Sequence, residues 1–260
     1  MDMSPLNIVG AAKKNLTLEN VLRTAMKTPM VKINREKFLH NELIKYCSED
    51  IVEEAIRTNP AKAGISRKTV DKISLQVINY ETSKVTGISV VASLPGGVAT
   101  FGAAAADITS YFTFVLRAVQ KLAYLYGFEQ FELKEEDVDS ETMNEIMIFL
   151  GVMFGVQGAS SVLAKLANAL AENVAKKLAQ RALTKGVIYP IVKKVAMAVG
   201  LRMTKQIFAD SVASAIPIAG GALSGGLTFA MFRPCCMKLR NNLRSYNLCN
   251  PEFYQSVEVE

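Results

Sequence analysis

Apolar residues recur at helical spacing through most of this chain, and the strict alternation that marks a strand never persists. Over the first eighty residues the pattern predicts short helices near 16–27, 35–46 and 49–57. They are punctuated at Thr28-Pro29 and Asn59-Pro60, where the residue before proline is pushed out of the helical region. Ser66 is a good N-cap for a further helix through Asp71, Ile73, Val77 and Tyr80.

Three longer apolar runs follow. Between 85 and 116 the only charge is Asp107, and the run is interrupted at Leu94-Pro95-Gly96-Gly97. This predicts an apolar helix, a sharp break, and an alanine-rich helix continuing to Tyr126. The stretch 146–164 is uncharged and contains Gly151-x-x-x-Gly155. The stretch 211–232 is uncharged too, with Pro217 and the pairs Gly220, Gly221 and Gly225, Gly226. Ser93-Leu-Pro-Gly-Gly is echoed by Ala215-Ile-Pro-Ile-Ala-Gly-Gly, so two similar hairpins are expected. The expected fold is all-α, a multi-helix domain with two small-residue apolar hairpins broken by proline and glycine. Its parts are an N-terminal helical region (1–80), a helical core (81–250) and an acidic tail (251–260), within one continuous domain.

About 20 apolar residues span a bilayer, and these runs meet or approach that length. They are filled with Gly, Ala, Ser and Thr, which weakens their drive into lipid. Small residues at four-residue spacing, Gly151 with Gly155 and Gly221 with Gly225, allow close helix approach. The competing expectation is a helical domain whose central helices are buried on every side. Asp107 in an apolar run is costly unless paired or hydrogen-bonded, and so marks a polar core contact or a functional position.

Charge sharpens the picture. The net charge is +6, but from Lys165 to Lys205 nine basic residues face Glu172 alone, while Glu129 to Glu145 holds eight acidic residues against Lys134. In a helix over 161–185, Leu163, Leu166, Leu170, Val174 and Leu178 share a face, and Lys177 and Arg181 rotate back onto it, where long cationic chains can snorkel. Lys194 and Lys205, flanked by Arg202 and joined by Lys185, form a candidate anion-binding strip, with a plain solvated face as the alternative.

Several chemistries lack their residues. His40 is the only histidine, and Cys47, Cys235, Cys236 and Cys249 show no metal-ligand spacing, so no metal and no cofactor are expected. His40 and Cys47 would lie about 10 Å apart along a helix, too far for a nucleophile and its base. No phosphate loop occurs, and Asp137-x-Asp139-x-Glu141 lacks the glycine and closing glutamate of a calcium loop. Few aromatics interleave the basic stretch, so no specific nucleic-acid partner is expected there. Cys235-Cys236 beside Lys238 and Arg240 has the setting of S-acylation, against a default of buried inert thiols. With no leader pattern at the start, the chain is read as unsecreted, with reduced thiols.

Ala92-Ser-Leu-Pro-Gly-Gly, Ala106-Asp107-Ile108 and Gln120-Lys-Leu-Ala-Tyr-Leu-Tyr-Gly127 resemble the central signature of the EcsC family. Ile216-Pro-Ile-Ala-Gly-Gly-Ala-Leu-Ser-Gly-Gly is similar to its closing glycine-rich motif, and Ile33-Asn-Arg-Glu-Lys-Phe-Leu to its opening helix. The resemblance covers about 33–243. That family is largely bacterial and is named for a protein encoded beside an ABC transporter; the resemblance implies no particular reaction. It points to Pro95, Gly96, Gly97, Asp107, Gln120, Lys121, Tyr124, Gly127, Pro217, Gly220 and Gly221 as positions of importance.

Two functional expectations follow. The first is a membrane-associated, non-enzymatic accessory or interaction protein on the cytoplasmic face, peripheral or partly inserted. It would meet anionic lipid through Lys177, Arg181, Lys185, Lys194, Arg202 and Lys205, and a membrane protein or a second copy through its glycine faces. The alternative is a soluble helical enzyme or small-ligand carrier with a pocket around Asp107, Gln120 and Tyr124 and a lysine nearby.

Overall fold

A computed structural model describes residues 18–92, 101–133, 138–172, 190–191, 193–195, 197 and 220–257, the side chains of 19, 88–92, 101–108, 140 and 220–230 excepted. Among the described residues the fold is all-α, a multi-helix bundle without strands. Nine helices have defined bounds: α1 (Leu18–Met26), α2 (Arg35–Leu43), α3 (Glu49–Arg57), α4 (Arg67–Ala92), α5 (Phe101–Leu125), α6 (Ser140–Phe154), α7 (Ala159–Ala171), α8 (Gly220–Leu243) and α9 (Pro251–Val257).

Local chemistry sets most of these ends. Asn34 caps α2 by accepting the Lys37 N–H at 2.7 Å, and Asp139 caps α6 by accepting from Thr142 N at 2.7 Å. Ser66 Oγ accepts from Thr69 N at the start of α4, as its sequence position predicts. That helix runs unbroken to Ala92, joining the segment through Tyr80 to the apolar stretch from Val85. After α5, Gly127 takes φ +95°. The Phe128 N–H reaches the Ala123 carbonyl at 3.0 Å while Gly127 N reaches Tyr124 O at 3.2 Å, the bonding of a Schellman end. A Cβ on Gly127 would also stand 3.0 Å from both Leu248 Cγ and its carbonyl oxygen, so only glycine fits.

The central helix α4 packs most extensively against α8 and then α5; α5 also carries α1, and α6 bridges α8 and α7. One continuous core runs from Leu18 to Cys249. Near its middle Phe128 and Phe131 meet Phe149 edge-on, with ring centroids 5.0 and 5.4 Å apart, and Tyr124 stacks obliquely on Phe131.

These observations correct the first functional expectation. Among the described residues no helix is long and apolar enough to cross a membrane. The run from Ile146 forms α6, ends at Gly155 and turns back into α7; Ile146 to Leu150 and Val152 to Phe154 all lie in the protein core. An apolar run of small and large residues can face protein on every side as readily as acyl chains. Membrane association, anionic lipid as partner and a location at the cytoplasmic membrane face are therefore overturned. So is self-association through the 151/155 face. A Cβ on Gly151 would sit 2.7 Å from Ala159 Cβ and 2.9 Å from Val195 Cγ2, so its close approach is to this chain, and Gly155 (φ +74°) is the C-cap of α6. The setting for S-acylation changes as well, because α8 continues through Pro234 and buries Cys236 completely. The breaks expected around Pro95 and Pro217 lie outside the described residues.

Candidate functional site

Two ionic clusters anchor α4, and both draw its acidic side chains inward. Glu81 has no exposed side-chain surface. It accepts Arg117 Nε and Nη2 of α5 at 3.2 Å each, and Lys121 Nζ, one turn further along α5, at 2.6 Å. Arg117 and Lys121 side chains are 17% and 12% exposed. The third arm of Arg117, Nη1, donates to the Met30 carbonyl. Lys121 Nζ also lies 5.6 Å from the centre of the Phe38 ring and 5.2 Å from that of Tyr80, within reach of cation–π attraction.

Ten residues earlier on the same helix, Asp71 receives Arg240 Nη2 at 3.1 Å and Arg244 Nη2 at 2.9 Å, both from the last turns of α8 and its exit. Tyr126 Oη donates to Asp71 Oδ1 at 2.9 Å, and Arg240 Nε donates to Ser74 Oγ at 2.8 Å. Burial lifts the Tyr126 hydroxyl well above its ordinary range, so it stays a donor. Each cluster thus sets one carboxylate against two cations.

The outer face of α4 is correspondingly one-sided. Its only acids are Asp71 and Glu81, both turned inward, while Lys68, Lys72 and Lys84 are exposed. Tyr80, 52% exposed, has Lys84 Nζ 5.5 Å from its ring centre in addition to Lys121. Two turns earlier Lys72 Nζ lies 4.8 Å from the ring of half-exposed Tyr46, whose hydroxyl donates to Gln76 at 3.1 Å.

The residues singled out by sequence separate into distinct roles. Gln120 is buried and gives Nε2 to the Val31 carbonyl at 2.8 Å and the Leu116 carbonyl at 3.0 Å, while its Oε1 accepts Ile33 N at 3.2 Å. It pins the link between α1 and α2 against α5. The Tyr124 hydroxyl, buried and raised in pKa by desolvation, accepts Phe131 N at 3.3 Å. Gly127 is a helix end, Lys121 joins the Glu81 cluster, and Tyr126 joins the Asp71 cluster. Asp107 lies within α5, and Gly220 and Gly221 open α8; their surroundings, like Pro95, Gly96, Gly97 and Pro217 themselves, fall outside what is described. Of the anion strip, Lys194 is exposed, and Lys177, Arg181, Lys185, Arg202 and Lys205 lie outside the described residues.

Sequence reasoning missed Glu81, Arg117 and the Asp71 cluster. A signal existed: Arg117 and Lys121 stand four residues apart on a helix that is otherwise uncharged from Tyr111 to Leu125, which calls for a buried acid opposite. Among the described residues no group of three His, Cys, Asp or Glu side chains is placed to hold a metal ion. Cys236 lies fully buried near Glu81, and desolvation raises its thiol pKa well above the usual range, so it is a poor nucleophile. In comparisons with family models, curated proteins and solved structures, the chain matches none.

Proposed function

We propose that this chain is an EcsC-like helix bundle that binds an anionic ligand on the exposed face of α4. The observation that carries the proposal is the inward turn of Asp71 and Glu81, which leaves Lys68, Lys72 and Lys84 as the only charged groups exposed along that helix beyond Arg67. Arg117 and Lys121 extend this positive field from beneath. Their charge exceeds that of Glu81 by one, and Glu81 holds them in fixed positions, so little ordering is left for a ligand to impose. A carrier or binding role fits better than a reaction centred on Gln120 and Tyr124, because those two side chains are occupied by backbone groups. The family part of the proposal rests on the motif residues, of which 120–127 form the last turns of α5 and its glycine end.

Isothermal titration of the full chain with inorganic phosphate and citrate at low salt tests the proposal. Saturable binding is expected that weakens as salt rises and falls at least about tenfold in Lys72→Glu/Lys84→Glu, with the melting temperature retained. Absence of heat with both anions, or binding indifferent to the double substitution, would reject it.

A further inference from the structure

We draw no further inference here: the strongest candidate, the exposed apolar surface of Met30 and Tyr80 beside the Arg117–Glu81 ion pair, carries nothing, because Tyr80 is accounted for by the lysines set over its ring and nothing in the structure shows what covers the rest.

Discussion

The Glu81 and Asp71 clusters have the same formula, one carboxylate of α4 against two cations from a neighbouring segment, and differ in depth. Glu81 is sealed, and its partners Arg117 and Lys121 are nearly so; Asp71 is partly open, and its outer partner Arg244 is 49% exposed. A carboxylate removed from water must have its lone pairs occupied and its charge balanced, and Glu81 receives three donors, with Lys121 steadied by two rings. At Asp71 water can share the task. The sealed cluster is therefore a commitment of α4 to α5, whereas the open one is an adjustable tie between α4 and α8.

The sharpest way to break this contrast is Glu81→Ala, which strands two cations in a dry site and is expected to lower unfolding free energy by about 3–5 kcal/mol in urea melts. Asp71→Ala should lower it by about 1–3 kcal/mol, since solvent reaches Arg244 and only Arg240 is left buried. Equal losses for the two would remove the distinction of depth.

Alkaline pH probes the Asp71 end next. Burial raises Tyr126 far above its ordinary pKa and Cys249 to about 11, whereas in an unfolded chain they ionise near about 10 and 8.5. The unfolded state releases these protons first, so their contribution is intact at neutral pH and declines as pH rises above about 9. Melting temperatures across that range should fall, and less steeply in Tyr126→Phe/Cys249→Ala; an unchanged slope would remove these groups from the account. The smallest effect is expected from Arg244→Ala, under about 1 kcal/mol and fading with salt, because that arm of the pair is half in water.

What the sequence disclosed follows the range of each interaction. Local signals read well: Glu49–Arg57 is a helix as expected, and Ser66 begins α4. Leu163 and Leu166 point inward from α7 while Lys165 points out, as the periodicity predicts. The apolar run from Ile146 misled, because composition records that a helix avoids water and not whether protein or lipid surrounds it. Its Gly151 and Gly155 looked like one motif, yet one allows a tight contact and the other turns the chain. The cations at 117 and 121 call for a buried acid, but Glu81 lies 36 and 40 residues away from them and nothing local singles it out as their partner. Tyr80 was read as a helical position, and its lysine neighbour from α5 could come only from tertiary packing.

Arg35 has a consequence for how the chain reaches this state. Its guanidinium is buried, with its pKa lowered mainly by loss of water, and it donates to the Ile56 carbonyl at 2.7 Å, the Thr58 carbonyl at 3.0 Å and the Phe128 carbonyl at 3.2 Å. The first two acceptors close the end of α3; the third arrives only after α5 has been made. A nascent polypeptide that stops before residue 128 carries a charged group whose dry resting place has no far wall. The α2–α3 pair is therefore completed across the chain, because the last acceptor of its buried cation belongs to the turn that follows α5.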